Sequence, residues 1–529
     1  MINYLIFLLF YALVFKLHDL HYGLSYGVQP DELPNMRLIV YWGFNAVVSS
    51  PHLWRLSLEA RENGAVISAV DPRRSKTAKL ADIWVNPRPG TDVALAYGIS
   101  RYIIEHGYID EDFIERWTYG YEQFREEAMR WTPDRVEAVT GVRWRLIEEL
   151  ADVYCRLKPS VTMIGIGLQK SLYGAESVRA ISLIPALLGI HRGFFYSNSR
   201  GWYIDIPYIS GEKFLKDKPP KVSQVALSRY IEEGRFKFIF IYNMNPLVTL
   251  PDQEALRRGI TGNKVFVVLH DTHWSETADY ADVVLPAPTY LEKDDLVISY
   301  SHRYVRISRR AIEPLGDSRD EIWLMREIAK RLNLNVSWIF EDLWRALEKA
   351  LDNAFEDGCF RDLVEGKILK LKCRPRNEYQ TPTGRIEFYS IKAEREGLNP
   401  LPKYYEFSIG KDEFILLNSS TARYTHTQFR EVYGPIPPIV LINPKDAERL
   451  GIEEGDEIEI YNELGSIRVV AHISLDVSVK VLWSPRQLID LSGKPQNIIT
   501  LSRRQKIGGG PIFNSIIVKI RISVDKSVG

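Results

Sequence analysis

The amino-acid sequence predicts an α/β protein that contains two similar α/β domains followed by a β-barrel domain. Two observations carry this prediction: a repeat at a spacing of 200 residues, and a change to short strand patterns after Glu413. Within the repeat, continuous apolar runs are typical of buried parallel strands. We therefore expect the same strand, crossover, strand unit to be built twice.

Six residues recur at this spacing without a gap. They are Asn45, Asp71, Thr77, Ala78, Ala81 and Asp82 in the first copy, and Asn245, Asp271, Thr277, Ala278, Ala281 and Asp282 in the second. In each copy one apolar run leads to the Asn and a second run ends at the first Asp. Ligands of parallel sheets bind at the carboxyl ends of the strands. Two matched sites on one chain favour a ligand with two similar halves.

Changes in the sequence pattern divide the chain into four predicted segments. They are an atypical apolar N-terminal segment (1–36), a first α/β domain (37–215), a second α/β domain (216–405) and a C-terminal β-barrel domain (406–529). The stretch from Ser210 to Lys221 is rich in Lys, Pro and Gly, which is typical of a surface connection. Turn residues such as Glu453 to Asp456 lie between short β-rich runs and predict the barrel.

The composition excludes several classes of protein. The chain has 68 basic and 68 acidic residues, so no basic excess favours nucleic acid as a partner. Hydrophobic residues make up 45% and charged residues 26%, as in globular proteins with large cores. The three cysteines are Cys155, Cys359 and Cys373, and none forms a C-x-x-C pair. No disulfide framework, zinc motif or iron-sulfur motif can therefore be written.

The amino terminus contains an unbroken run of twelve apolar residues from Tyr4 to Phe15. A membrane span needs about 20 such residues, and a secretory signal needs a preceding positive charge and a following small-residue cleavage site. Neither of these signal features is present. Three interpretations stay open: a buried strand or helix, a targeting role, and an incomplete or displaced chain start.

A glycine-containing turn follows the predicted strand from Val161 to Ile166. Gly165 and Gly167 would let a ligand approach the backbone closely, and Gln169 follows them. A plain tight turn would use the same glycines. Both interpretations stay open on the residues alone.

A series of motifs gives the sequence a specific family resemblance. The motifs are Trp42-Gly43-Phe44-Asn45, Val70-Asp71-Pro72-Arg73-Arg74, Pro89-Gly90-Thr91-Asp92, Ala281-Asp282-Val283-Val284-Leu285-Pro286, Thr381-Pro382-Thr383-Gly384-Arg385 and Leu450-Gly451-Ile452. In these motifs and their order the sequence resembles the molybdopterin oxidoreductases of the dimethyl sulfoxide reductase family. The resemblance covers nearly the whole chain.

The resemblance implies a fold and a cofactor. The expected fold is two Rossmann-like α/β domains related by a pseudo-two-fold axis, plus a C-terminal double-psi-like β-barrel domain that binds molybdopterin dinucleotide. The expected cofactor is molybdenum or tungsten held by two molybdopterin guanine dinucleotides, which accounts for the repeat. Each α/β domain would then bind one nucleotide.

The same resemblance assigns the nucleotide-binding residues. A carboxylate can accept the two adjacent N–H groups of guanine, and Asp71 fits this role for the first guanine. Its expected companions are Gly43, Asn45, Arg73, Gly90 and Asp92. For the second guanine the expected residues are Asn245, Asp271 and Thr272.

Further residues are expected at the pterins. Gly167 and Gln169 match the family's turn towards a pterin, and Asn497 resembles a late pterin contact. A segment of the last domain that would close over the cofactor contributes Thr421, Arg423, Thr425, His426 and Thr427.

The chain departs from the family pattern at its amino terminus. Family members normally carry a 4Fe-4S domain there, followed by a side chain that binds the metal. In this chain the ligand position would fall near Phe10 to Val14, where every side chain is apolar. His18, Asp19 and His21 are the nearby donors and are poor candidates. No metal-ligand residue, no 4Fe-4S site and no catalytic residue is therefore assigned.

Two classes of function follow from these observations. In the first, the chain is an oxidoreductase subunit that transfers an oxygen atom or a hydride equivalent and passes electrons to an iron-sulfur subunit, with a membrane anchor subunit as a further candidate partner. In the second, it is a truncated or non-catalytic relative that needs a separate N-terminal segment, and we expect the chain expressed alone to lack redox activity. A small molecule is the expected substrate. Either face of a membrane stays open as its location.

Overall fold

The computed structural model describes residues 18–217, 219–262 and 265–522. The chain forms two compact units. The larger unit contains residues 18–198, Val248–Glu254 and 376–522, and the smaller unit contains Ser199–Leu247 and Ala255–Pro375. The predicted domain limits stay predictions. The apolar run from Tyr4 to Phe15, with the ligand position near Phe10 to Val14, lies outside the described residues.

The larger unit contains a parallel five-stranded sheet. Its strands are β1 (Leu38–Trp42), β2 (Val66–Val70), β3 (Ile83–Val85), β5 (Ser160–Ile164) and β6 (Phe194–Phe195), in the order β3-β2-β1-β5-β6. All five residues of β1 are buried, as its continuous apolar run predicts. The carboxyl ends of these strands carry Gly43, Asp71 and Gly165.

The smaller unit repeats the first three strands of that sheet. Its strands β7 (Phe238–Tyr242), β8 (Phe266–Asp271) and β9 (Val283–Pro286) are parallel and neighbour one another in this order. Phe238 pairs with Phe266 as Leu38 pairs with Val66. Each residue of the pair in the second copy lies 200 positions after its counterpart in the first copy. The strand, crossover, strand unit is therefore made twice, as predicted. The pseudo-two-fold axis between the copies stays a prediction.

The last part of the larger unit forms a closed six-stranded barrel. Its strands are β14 (Phe414–Ser419), β15 (Ile439–Ile442), β16 (Glu457–Asn462), β17 (Gly465–Ile473), β18 (Val481–Pro485) and β19 (Ile516–Ile522), in the order β14-β18-β15-β17-β16-β19. Leu416, Val440, Ile458 and Val469 pack in its core. The predicted C-terminal barrel is confirmed.

The remaining elements surround these sheets. Short strands are β4 (Thr118–Tyr119), β10 (Asp295–Ile298), β11 (Tyr304–Ser308), β12 (Leu369–Lys370) and β13 (Ile386–Glu387). The α-helices up to residue 198 are Ala46–Ser49, Pro51–Glu62, Lys76–Leu80, Asp92–Glu105, Glu111–Trp117, Tyr121–Met129, Pro133–Thr140, Trp144–Arg156, Ile166–Gln169 and Gly174–Leu187. Those that follow are Ile206–Ile209, Leu227–Glu232, Pro246–Thr249, Gln253–Gly262, Glu321–Arg331, Leu343–Ala350, Phe360–Val364, Ile391–Arg395, Arg430–Tyr433 and Pro444–Leu450. Among the described residues, none of these helices has the length and apolar character needed to cross a membrane.

Candidate functional site

The repeated Asn and Thr residues hold the loop after the first strand of each copy. In the first copy, Asn45 Oδ1 accepts from the Thr77 hydroxyl at 3.2 Å, and that hydroxyl accepts the N–H of Val47 at 3.1 Å. In the second copy, Asn245 Oδ1 accepts from the Thr277 hydroxyl at 2.7 Å. The Leu247 N–H donates to this hydroxyl at 3.3 Å, as Val47 does in the first copy. The amide oxygens of both Asn residues are therefore used within the protein.

The last Asp of each repeat supports the second strand. Asp82 Oδ2 accepts the N–H of Ile67 at 2.8 Å, and Asp282 Oδ2 accepts the N–H of Val267 at 2.7 Å. These carboxylates satisfy amides at the start of β2 and β8, so this repeated position has a structural role.

The first Asp of each repeat lies at the carboxyl end of its strand and caps the following turn. Asp71 Oδ1 accepts the N–H of Arg73 at 3.0 Å, and Asp271 Oδ1 accepts the N–H of Thr272 at 2.8 Å. Asp271 Oδ2 also accepts from the Ser275 hydroxyl at 2.9 Å, and Ser75 makes the corresponding bond to Asp71. Ser75 and Ser275 thus extend the repeat beyond the positions named from the sequence. A carboxylate has about four lone-pair sites, so each Asp keeps acceptor capacity for a ligand.

We call the residues expected at the first guanine the first half-site, and those expected at the second guanine the second half-site. In the first half-site, Arg73 lies beside the barrel. Its guanidinium lies 4.3 Å from the ring centroid of Trp483, and its Nη2 donates to the Ser419 hydroxyl at 3.5 Å. Burial lowers the pKa of Arg73, while the carboxylates of Asp71 and Asp476 oppose that change. Burial likewise raises the pKa of Asp71, which Arg73 opposes. Arg73 thus links the carboxyl end of β2 to the ends of β14 and β18.

Asp92 adds a second buried acid to this half-site. It is the first residue of the helix Asp92–Glu105, and its Oδ1 accepts from Trp42 Nε1 at 2.8 Å. Burial raises its pKa to about 6, and the negative charge of Asp71 acts in the same direction. Gly90 has a φ of 85°, and a Cβ added there would meet no atom within 4 Å. The turn before Asp92 therefore has open space beside its backbone.

Gly43, Gly165 and Gly167 allow two backbone segments to cross closely. A Cβ on Gly165 would lie 1.9 Å from the carbonyl oxygen of Gly43, and a Cβ on Gly167 would lie 3.0 Å from the same atom. Gly43 has a φ of 60°, and a Cβ there would meet Leu168 Cγ at 2.6 Å. The tight-turn interpretation thus has a direct steric basis, which does not exclude a ligand at the same backbone.

Two of the expected pterin contacts are used by protein groups. The side-chain oxygen of Gln169 accepts from the hydroxyl of Tyr196. Asn497 Nδ2 donates to the carbonyl oxygens of Val248 at 3.0 Å and Thr249 at 2.9 Å. In the second half-site, the Thr272 hydroxyl lies 2.8 Å from His273 Nδ1 and is exposed.

The segment that contains Thr421, Arg423, Thr425, His426 and Thr427 has an unusual backbone. Arg423 and His426 have φ values of 78° and 54°, which non-glycine residues adopt rarely. The Thr421 hydroxyl is buried and has no hydrogen-bond partner among the described residues. The carbonyl oxygens of Thr425 and Thr427 accept from Gln428 N and Arg430 Nε at 3.0 and 2.9 Å. Such geometry is typical of functional segments held by their surroundings.

Basic groups cluster beside this segment. His426 is exposed at its surface, and Gln487 Nε2 donates to its Nδ1 at 3.0 Å. The surrounding protein, Arg486 and Lys170 lower its pKa to about 4, so the ring is neutral at pH 7. Lys170 and Arg486 were not named from the sequence. Lys170 directly follows Gln169 in the turn expected at a pterin, and Arg486 directly follows the last residue of β18. These positions are the signal that could have identified them.

The histidines after the apolar run are used in packing. His21 Nδ1 donates to the carbonyl oxygen of Glu387 at 2.5 Å, and its Nε2 accepts from Arg179 Nε at 2.9 Å. His18 stacks on Phe194 with a centroid distance of 4.4 Å. Within the described ranges, no three His, Cys, Asp or Glu side chains form a group that could hold a metal ion.

The residues of the larger unit fit an anionic nucleotide cofactor. Asp71 offers carboxylate oxygens to base N–H groups, while Arg73, Lys170 and Arg486 offer positive charge to phosphates. The Thr421 hydroxyl and Arg486 Nε are buried without hydrogen-bond partners among the described residues, so polar groups remain for a ligand.

Comparison with known proteins identifies the family models that this chain matches. Residues 13–331 match the family model described as Molybdopterin oxidoreductase, and residues 414–517 match the Molydopterin dinucleotide binding domain. A probable oxidoreductase of Bacillus subtilis, YoaE, is 30% identical over 519 residues, which cover 94% of this chain and 76% of that protein. A formate dehydrogenase subunit alpha of Methanocaldococcus jannaschii is 25% identical over 533 residues, with coverages of 94% and 78%.

A solved structure shows the same fold. Acetylene hydratase from Pelobacter acetylenicus superposes with a TM-score of 0.82 at 19% sequence identity, covering 97% of this chain and 81% of that one. Together with the two family models, these relatives confirm the resemblance and support a molybdenum or tungsten cofactor with two molybdopterin guanine dinucleotides. The chain therefore belongs to the molybdopterin oxidoreductase family and is an oxidoreductase that binds a molybdopterin dinucleotide.

Proposed function

We propose that this chain is a molybdenum- or tungsten-dependent oxidoreductase subunit in which Asp71 and Asp271 each bind one guanine. The observation that carries the proposal is the repeat: both carboxylates lie at the carboxyl end of the second strand of sheets with the same pairing register, and each accepts a backbone N–H of the turn that follows. The bound metal would supply oxygen-atom or hydride-equivalent transfer, which side chains cannot perform.

Different residues of the first half-site would bind different groups of the cofactor. Asp71 would accept the guanine N–H groups, and Arg73 would lie on the base or pair with a phosphate. Gly43, Gly90 and Gly167 leave the backbone accessible, while Asp92 would accept from the ribose or the base. Because the oxygen of Asn45 is bound to Thr77, its N–H₂ group is the part that would reach the cofactor.

The remaining expected contacts are proposed on the same basis. In the second half-site Asn245 would support the loop, while Asp271 and Thr272 meet the guanine. At the pterins we propose Gln169, Thr421, Arg423, Thr425, His426, Thr427 and Asn497. Of these, Thr421 has the strongest local support, since its buried hydroxyl has no partner among the described residues.

Electron transfer to an iron-sulfur subunit is part of the proposal. One relative is named as subunit alpha of a formate dehydrogenase, and a protein named as a subunit works with others. A two-electron reaction at the metal also needs an electron acceptor. Coupling to a membrane anchor subunit would place the electrons in a respiratory chain.

Replacement of each Asp by Ala tests the guanine assignment. A charge-assisted hydrogen-bonded pair contributes about 1.5 to 3 kcal/mol, so Asp71→Ala and Asp271→Ala should each weaken cofactor binding by roughly 10- to 150-fold. Guanosine monophosphate released by acid, together with bound metal, measures the cofactor content of the purified proteins. Asp357→Ala, at an exposed position of the smaller unit, is the matched control. Unchanged content in both site variants would refute the assignment.

A further inference from the structure

We propose that Tyr196 is a positioning residue, which holds the side chain of Gln169 so that its amide N–H₂ group, and not its oxygen, meets a pterin. This role rests on the proposed function, in which Gln169 contacts a pterin, and deepens it by assigning the chemistry of that contact. The pterin atom opposite Gln169 would be a hydrogen-bond acceptor, such as a carbonyl oxygen or an unprotonated ring nitrogen.

The sheet of the larger unit brings the two side chains together. Strands β5 and β6 are parallel, and Met163 near the end of β5 lies opposite Phe195 at the end of β6. Tyr196 directly follows β6, and Gln169 is the last residue of the short helix after β5. Both residues therefore lie at the carboxyl end of the sheet, the edge at which parallel sheets bind ligands and at which Asp71 also lies.

The backbone of Gln169 is fixed by the barrel domain and by close packing within its own turn. Gln505, in the loop before β19, donates from Nε2 to the carbonyl oxygens of Gln169 and Ser171. A Cβ on Gly174 would lie 1.8 Å from the carbonyl oxygen of Leu168 and 3.0 Å from Gln169 Cα, so the backbone is in direct contact there. Only the side-chain torsions of Gln169 are left to decide where its amide points.

The hydroxyl of Tyr196 determines this orientation. Gln169 is 4% exposed and Tyr196 is 3% exposed. Among the described residues, the Tyr196 hydroxyl donates to the side-chain oxygen of Gln169 alone. A buried hydroxyl needs an acceptor for its proton, and the oxygen is the one acceptor atom of an amide side chain. Burial raises the pKa of Tyr196, so the phenol stays protonated and continues to donate. The N–H₂ group is therefore left for a different partner.

The ring of Tyr196 is itself held by its neighbours. Its centroid lies 5.1 Å from that of His18, which stacks on Phe194 at 4.4 Å. The Nδ1 atom of His18 lies 3.2 Å from the Ser25 hydroxyl. A side chain that is already ordered loses less entropy when it binds a ligand. Tyr196 would thus strengthen the contact of Gln169 without touching the cofactor.

The experiment measures how fast the purified full-length chain loses bound cofactor. Released cofactor is separated by filtration at intervals and quantified as guanosine monophosphate after acid treatment. Gln169→Met removes the amide and should accelerate the loss by about two- to tenfold, as expected for one neutral hydrogen bond. Tyr196→Phe keeps the ring but removes the hydroxyl, and should accelerate the loss by a similar or smaller factor because the amide can then rotate. The double variant should lose cofactor no faster than Gln169→Met, since Tyr196 acts through Gln169.

Tyr154→Phe is the matched control. It removes another buried hydroxyl of the larger unit, which lies 2.9 Å from the Thr162 hydroxyl inside the sheet. This variant should lose cofactor at the wild-type rate. The absorption bands of the bound pterin should shift in Tyr196→Phe and Gln169→Met, because the ring loses a hydrogen-bond donor, and stay in place in Tyr154→Phe. Equal effects in Tyr154→Phe would show general destabilisation and overturn the positioning role.

The remaining outcomes separate this role from the proposed function. If Gln169→Met accelerates the loss and Tyr196→Phe does not, Tyr196 has no positioning role, while the pterin contact of Gln169 stands. Further acceleration by Tyr196→Phe in a chain that already carries Gln169→Met would also overturn the role, because Tyr196 would then act by another route. A wild-type rate in Gln169→Met would refute the pterin contact and this role together. The guanine assignment depends on the Asp71 and Asp271 variants alone.

Discussion

At the residue scale, Asp92 shows how a ligand site can cost stability in the absence of its ligand. Its carboxyl group is buried beside Asp71, and the indole of Trp42 donates a hydrogen bond to it. Burial raises its pKa from 3.8 to about 6, so the folded chain carries a charge at neutral pH that its surroundings disfavour. Hydrogen-bond donors of a bound cofactor, such as ribose hydroxyls or base N–H groups, would reduce that cost.

The variant Asp92→Asn should make the cofactor-free chain more stable at neutral pH. Between about pH 4 and pH 6 the folded wild type binds the Asp92 proton more tightly than the unfolded chain, so its free energy of unfolding falls as the pH rises and then levels off. A shift of about two pKa units corresponds to roughly 3 kcal/mol, which is the upper limit of the gain expected above pH 6. Urea titrations across this pH range measure it.

The Asn side chain keeps the oxygen that accepts from Trp42, so the change isolates the charge. Asp92→Ala, which removes that oxygen as well, is the comparison. Some pH dependence should persist in the Asn variant, since burial also raises the pKa of Asp71. A wild-type pH dependence in Asp92→Asn would show that Asp92 is not the titrating group.

The sequence identified the repeated residues but not the role of each. Asn45 and Asp82 were visible as repeated polar residues at strand ends, as was Asp71. In the structure the oxygens of Asn45 and Asp82 serve the protein's own donors. A residue type has the same hydrogen-bonding groups in either role, so the sequence cannot show which partner each lone pair meets. Lys170 and Arg486 escaped notice because their proximity depends on strands distant in the chain.

At the element scale, the turn between a strand and its crossover depends on a buried hydroxyl in each copy. Thr77 and Thr277 are almost fully buried, and each accepts a backbone N–H of the loop that follows the first strand. Local patterns predicted the strands well because their apolar runs are continuous. A helix start instead depends on a single capping side chain: Asp320 caps Glu321–Arg331 by accepting from Trp323 N at 2.7 Å.

Thr77→Val and Thr277→Val should destabilise the protein by similar amounts. Valine has nearly the same shape but cannot accept the N–H of Val47 or Leu247, and a buried unsatisfied group costs about 1 to 3 kcal/mol. Thermal or denaturant unfolding of the cofactor-free chain measures the effect. Thr77→Ser and Thr277→Ser keep the hydroxyl and should lose less stability. If Val and Ser variants were equally stable, these hydrogen bonds would not support the turns.

At the scale of the whole molecule, the sequence predicted the kinds of substructure better than their arrangement. The closed barrel follows from short apolar strands separated by turns, and the two sheets follow from the repeat. A repeat defines the local structure of each copy but not the orientation between copies. The predicted pseudo-two-fold axis would depend on packing between distant parts of the chain, which no local pattern records.

The two copies lead to a prediction about stoichiometry. Each copy has its own Asp at the end of its second strand, with its own serine donor and the same strand register. If both copies bind guanine, one chain holds two nucleotides for one metal ion. Acid release of guanosine monophosphate, measured against molybdenum and tungsten by mass spectrometry, should give a ratio of about two. A ratio of one would mean that only one copy binds a nucleotide, and the variants Asp71→Ala and Asp271→Ala would identify that copy, because only the replacement in it would remove the nucleotide.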